Sequence, residues 1–455
     1  MCALRPRLTA ASREVRTIAR LATPIALAQF GLTSMHLVDV AVLGHVSPTE
    51  LGGASIGRSI TFAAIALGMG MASAIEPLAS QAVGARDEEQ AWRALVAGLM
   101  ACVLVWIPCS ILAVGATWLL GPLGIQAELI GPARAFLVPQ LPGMLAFSTF
   151  LAVKAFLQAH ERTTPSLVAA VVANVVNVVV CNLLVRGDEA LLAVGLPPLR
   201  LPSFGALGAG VASSIASITL VAWVLAAAWK MRPAGARRSL RDAPIRKVLR
   251  VGSPIGLQLL AEIGVFSLAG VLAGKLGSIA ASAHQIALSL ASFTFMGALG
   301  ISGATAVRVG HAIGEGRSPR GAGLVGIALG GAFMAACGVV FLVGRRPLAG
   351  AFTDDAAVIE LGATLLVVAA AFQLFDGVQG VAAGALRGAA DVRFAFLANV
   401  GAHWLVGFPL ALWLAFRAGL GAQGLWLGLL VGLVLVAILL LWRFVVVTRS
   451  AIARV

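Results

Sequence analysis

Five ionisable side chains, Asp39, Glu76, Lys154, Glu262 and Asp376, stand inside long apolar runs of this sequence. At the centre of a membrane-crossing helix such a group costs roughly 2.5–3.5 kcal/mol on insertion scales, so each requires a partner or a wet cavity. Glu262 has eleven uncharged residues before it from Val251 and twelve after it to Gly274, which is too deep for its side chain to reach water. Asp376 is the only charge between Leu361 and Leu386. The simplest partner for a lone carboxylate at that depth is a proton or a metal cation. The alternative is a permanently protonated acid that ties helices together.

Asp39 is the sole charge of the first apolar run, seven residues before Val46. Asn174 and Asn177 are spaced i,i+3 and share a helix face, so they close a polar site with Asp39 if their helices adjoin. Plain hydrogen bonding between helices serves the pair equally well. Glu76 precedes Pro77, whose missing N–H permits a kink and points to a cytoplasmic gate. Lys154 lies where a lysine can snorkel to the interface. His284, Gln285, Phe295 and Met296 fall on one run and are candidates to line a cavity for a flat cation through stacking and cation–π contact, or to be ordinary packing. The cysteines Cys2, Cys102, Cys109, Cys181 and Cys337 show no C-x-x-C spacing and read as small buried hydrophobes. The sequence holds no G-x-x-x-x-G-K-[ST], H-E-x-x-H or G-x-S-x-G. An ion gradient is therefore the expected energy source, and neither an enzyme activity nor a cofactor is expected.

The elements that position these residues are membrane spans. Of 455 residues 60% are hydrophobic and 11% charged, against about 25% charged in soluble domains. Hydropathy windows predict an all-α polytopic protein with twelve spans at 21–46, 59–85, 94–121, 133–159, 165–185, 205–229, 251–274, 279–308, 322–344, 358–386, 394–416 and 423–444. Lys and Arg number 24 on the side of both termini and eight on the other, with Lys154 inside a span. By the positive-inside rule both termini are expected in the cytoplasm. The central loop, with Arg237, Arg238 and Arg241, belongs on the same side, and Trp92, Trp229 and Trp442 mark the interface. The net charge of +14 reads as topology rather than as a nucleic-acid-binding face.

That loop divides the spans six and six, and the halves resemble each other at a constant offset of 230 residues. LATPIAL at 21–27 lies over VGSPIGL at 251–257, and the register pairs Pro24 with Pro254, Gly44 with Gly274, Gly70 with Gly300 and Gly84 with Gly314. An even number of spans per half makes this a parallel repeat about an axis along the membrane normal, the frame of an alternating-access carrier. The expected organisation is a cytoplasmic segment at 1–20, an N-terminal six-helix lobe at 21–230, a basic linker at 231–250, a C-terminal lobe at 251–444 and a tail at 445–455. A duplicated scaffold without transport activity, or an ion channel, shares some of these features.

VDVAVLGHVSP in the first span, LASQAVGA closing the second, AHQIAL in the eighth and FQLFDGVQGVAAGALRGAADVR through the tenth resemble the multidrug and toxic compound extrusion (MATE) family, more its NorM-like than its DinF-like branch. The resemblance covers nearly the whole chain. It implies a V-shaped pair of six-helix lobes in the inner membrane that exports small organic cations and amphipathic drugs in exchange for sodium or protons, working as a monomer. It further implies that Glu262 and Asp376 form the cation site of the C-terminal lobe, and that Asp39 serves the N-terminal lobe beside the N-x-x-N of Asn174 and Asn177. The third asparagine that often follows is Cys181 here. Flippases of lipid-linked sugars share the architecture but usually line the cleft with basic residues. Here the mid-membrane charges are acidic apart from Lys154, which favours cationic cargo.

Overall fold

The computed structural model describes residues 4–193, 195, 197–198, 200–234 and 242–455. Arg237, Arg238, Arg241 and Cys2 lie outside the described residues, as does part of the linker expected at 231–250. The helices are α1 (Leu4–Gly44), α2 (Pro48–Ser73), α3 (Ile75–Gly84), α4 (Glu88–Leu119), α5 (Ala127–Ala159), α6 (Thr164–Arg186) and the short α7 (Asp188–Ala193). They continue with α8 (Gly205–Trp229), α9 (Ile245–Lys275), α10 (Ser278–Gly314), α11 (Arg320–Gly350), α12 (Ala356–Gly388), α13 (Val392–Val400), α14 (Phe408–Leu412) and α15 (Gly421–Val447). Among the described residues twelve helical stretches are long and apolar enough to cross a membrane, and each of the twelve predicted spans overlaps one of them.

Most of these helices outrun their apolar cores, because polar turns at each end extend them beyond the ~20 residues a bilayer needs. Of the segment expected at 1–20, the residues from Leu4 onward are continuous with the first span in α1. The second span breaks between α2 and α3 at Ala74. Pro77 accounts for the break, since its ring clashes with the carbonyl four residues back, that of Ser73. The eleventh span runs from α13 through a π-helical stretch at Gly401–Gly407 into α14 and a second one at Trp413–Arg417. The first widened turn opens two residues past Asn399, and Pro409, which cannot donate a hydrogen bond, follows it.

Packing repeats between the halves. In the first, α2 packs on α4 and α5, α5 on α4 and α8, and α6 on α8. In the second, α10 packs on α11 and α12, α12 on α11 and α15, and α15 on the helical stretches of the eleventh span. Numbered as spans, these are the same five pairs shifted by six. Gly53 and Gly57 let α2 lie against α5, since a Cβ on Gly57 would stand 2.6 Å from the Ala133 carbonyl. Such small-residue seams hold helices together where lipid offers no hydrophobic contrast.

Contacts divide the described chain into two compact units that are not the sequence halves. One holds the residues up to Leu27, then Glu76–Asp87 and Leu257–Val455; the other holds Ala28–Ile75 and Glu88–Gly256. The physical reason is close backbone approach at pairs related by the 230 offset. Inside the second unit Gly70 lies against Gly252 and Gly256, and inside the first Gly300 lies against Ala22 and Ala26. Adding 230 to 22, 26 and 70 gives 252, 256 and 300. Likewise Gly84 meets His311, and Gly314 meets Gln81.

Candidate functional site

In the unit containing Leu257–Val455, four helices bring polar groups to one place. Glu262 sits in mid-α9 one turn after Gln258, whose amide donates to Glu262 Oε1 at 3.1 Å. Asn399, at the end of α13 and 1% exposed, donates its amide to the same oxygen. The buried Oδ1 of Asn399 accepts no hydrogen bond among the described residues. Asp376 on α12 lies close enough for the charge of Glu262 to act on it. One turn earlier on α12 is Gln373, fully buried, whose amide donates to Thr294 of α10 while its Oε1 accepts nothing among the described residues.

No basic side chain among the described residues forms an ion pair with Glu262 or Asp376. Arg387, further along α12, is held by Glu76 at 2.7 Å. The site is therefore rich in acceptor oxygens, and the cation whose charge acts on Glu262, Arg387, is ion-paired with Glu76 instead. Oxygens of this kind suit a hard cation such as sodium, and a proton needs only one of them. Among the described residues no three His, Cys, Asp or Glu side chains converge as a transition-metal site would require.

The other unit is built differently. Asp39 is 1% exposed and its carboxylate is fully engaged. Oδ1 accepts from Asn177 at 3.2 Å, while Oδ2 accepts from Ser213 of α8 at 2.8 Å and from Arg58 of α2 at 2.9 Å. The Cys181 thiol lies beside it as well. The Arg58 guanidinium also stacks 5.1 Å from the centroid of the Phe136 ring and places a terminal nitrogen 2.6 Å from His36 Nδ1. The Gly57 contact with α5 positions it, because the residue just before Arg58 is the one that touches the Ala133 carbonyl.

Sequence reasoning missed Arg58 and Ser213. The boundary drawn at 59 left Arg58 among the external loop charges, yet α2 begins at Pro48, with Ser47 capping the amides of Thr49 and Glu50. The signal was present in Ser-Pro-Thr-Glu at 47–50, which joins an N-cap serine, a proline at the first helical position and a glutamate at the third. At 1.5 Å per residue this start sets Arg58 about 15 Å along the helix. Glu50 does not close the capping box on Ser47 but accepts the Ala206 amide at the start of α8.

The remaining expectations divide. Asn177 reaches Asp39, whereas Asn174 binds the Gly31 carbonyl at 2.7 Å and so pins α6 to α1. Lys154 does not snorkel: it is buried, with Nζ donating to Gln29 at 2.7 Å. His284 is buried and accepts from the Trp426 indole at 3.1 Å, which makes it part of the packing. Gln285 is exposed and bonds Ser289 of its own helix at 3.3 Å. Phe295 is half-buried with its ring against Gly380, and Met296 is half-buried beside it on α10. Gly380 follows Asp376 by one turn of α12, so Phe295 packs on the helix that carries that acid.

The sequence matches the MatE family model over residues 24–183 and 254–413, two blocks displaced by the same 230 residues. It is 35% identical over 460 residues to a probable multidrug resistance protein NorM of Bradyrhizobium diazoefficiens, covering 98% of this chain and 96% of that one. It is 36% identical to the multidrug resistance protein NorM of Burkholderia vietnamiensis, covering 97% and 96%. Among solved structures, the eukaryotic MATE transporter AtDTX14 superposes with a TM-score of 0.83 at 22% identity, covering 96% of each chain.

Proposed function

The chain belongs to the MatE family, and from that premise we propose that it is a cation-coupled multidrug exporter. It is a multi-pass membrane protein and not an enzyme. In this reading it lies in the inner membrane with both termini cytoplasmic and exchanges small organic or amphipathic solutes against sodium or protons. The NorM relatives supply the cargo class. The single observation behind the coupling is the contrast between the two units. Glu262 and Asp376 have acceptor oxygens and no ion-paired basic partner among the described residues, whereas Asp39 has Arg58. An intramembrane acid pair without its own cation is a site for one that comes and goes. Differential binding of that ion and of cargo to two conformations is then sufficient for exchange.

Purified protein in liposomes loaded with ethidium tests the reading. Imposed sodium and proton gradients, applied separately, should show that one of them drives dye movement against its concentration. Dye flux that ignores both gradients would reject coupling.

A further inference from the structure

We propose that Arg58 is the cargo-reading residue of the unit formed by Ala28–Ile75 and Glu88–Gly256, and that the ligand it selects is a zwitterion whose carboxylate pairs with the guanidinium. This rests on the exporter reading above and narrows its cargo class.

The argument begins with what Asp39 has left to offer. An ionised carboxylate has about four acceptor positions. Arg58, Ser213 and Asn177 take three of them, and the Cys181 thiol stands at the same group. Only 1% of the Asp39 side chain is accessible, against 20% for Arg58. An organic cation approaching this cluster meets no free acid. It meets a guanidinium.

That guanidinium is only partly used. Arginine carries five N–H donors in a rigid fork. One terminal nitrogen serves Asp39 and the other serves His36, each through a single hydrogen bond, and Nε–H donates to nothing among the described residues. Because Arg58 donates to His36 Nδ1, the imidazole proton is assigned to Nε2 and adds a donor on the exposed ring. Asp39 and Arg58 cancel and a neutral His36 adds nothing, so the cluster has no net negative charge to attract a bare cation. A carboxylate gains a charge-assisted hydrogen bond from the open edge of the fork. The geometry is also fixed in advance, since Phe136 holds the guanidinium from one face and the Gly57 contact sets its helix.

Rhodamine B and its ethyl ester test this, because they share a ring system and differ only in the carboxylate. Their affinities for purified protein are measured by fluorescence anisotropy with wild type, Arg58→Lys and the charge-balanced Arg58→Gln/Asp39→Asn variant. The wild type should bind the zwitterion about tenfold or more tightly than the ester, the scale of one hydrogen bond to a charged group. The charge-balanced double variant should bring the ratio close to one, and Arg58→Lys, which keeps a charge but loses the fork, should lower it. An ester bound as tightly as the acid by wild type overturns the proposal. So does an equal loss of both affinities in the variants, which marks Arg58 as structural. Ethidium export by the same wild-type preparation separates the two levels: gradient-driven export with no preference for the carboxylate removes only this inference. Absence of any driven export removes the exporter reading with it.

Discussion

At the scale of single residues, three intramembrane acids that look alike in sequence differ in what compensates them. Glu262 and Asp376 have no ion-paired basic partner among the described residues, so Glu262→Gln and Asp376→Asn remove a charge without stranding another. Each should leave the protein no less stable, because it removes an insertion cost of roughly 2.5–3.5 kcal/mol. Asp39→Asn strands Arg58 and should destabilise on the order of 2–4 kcal/mol, somewhat below the figure for a wholly buried pair because Arg58 is 20% exposed. Thermal unfolding of the three purified variants checks the contrast, and Arg58→Gln added to Asp39→Asn should recover most of the loss. Equal melting temperatures for all three would dissolve the distinction between the sites. The acids were legible because a charge in the middle of an uncharged run stands out. Asn399 was not, because one asparagine in a span carries no such signal until its partner across the helix interface is known.

At the scale of elements, spans are written as apolar runs, but their junctions are written in caps, glycines and prolines. Pro77 announced the break before α3. The start of α2 was legible only to a reader who weighed the N-cap at Ser47 above hydropathy, and hydropathy alone displaced Arg58 into a loop. Lys154 shows the opposite limit, since snorkelling depends on whether a buried acceptor such as Gln29 lies within reach, which is a tertiary fact. Glycines make the element level testable. Gly57→Ala places a methyl 2.6 Å from the Ala133 carbonyl and must push α2 from α5, whereas Gly115 in α4 has nothing within 4 Å of such a methyl. Gly115→Ala should raise stability by up to about 1 kcal/mol through helix propensity alone. Gly57→Ala should lower it by about 1–3 kcal/mol, the usual cost of overpacking. The same measurement of melting temperature reads both, and a loss at both positions would mean that backbone proximity is not what distinguishes them.

At the scale of the whole molecule, the 230-residue offset was visible in sequence, and it reappears in the five repeated helix pairs and in the contacts of Gly70 with Gly252 and Gly256 and of Gly300 with Ala22 and Ala26. The division into contact units was not visible. It depends on which ends of the first two spans pack with which helices, and neither composition nor periodicity encodes that. Topology follows from the excess of Lys and Arg. A cysteine introduced at Gly187 or Asp354 should react with an impermeant thiol reagent added outside intact cells, and one at Lys230 should not; the reverse pattern would invert the orientation.

The coupling itself is most directly tested by following ion and cargo together in one vesicle preparation, wild type against Glu262→Gln and Asp376→Asn. The account predicts that wild type accumulates ethidium against its gradient when the coupling ion flows the other way. Each variant should move the dye only down its own gradient and no longer respond to the ion. Variants that accumulate ethidium under an ion gradient as wild type does would contradict the account, because the oxygens assigned to the ion would then be dispensable for coupling.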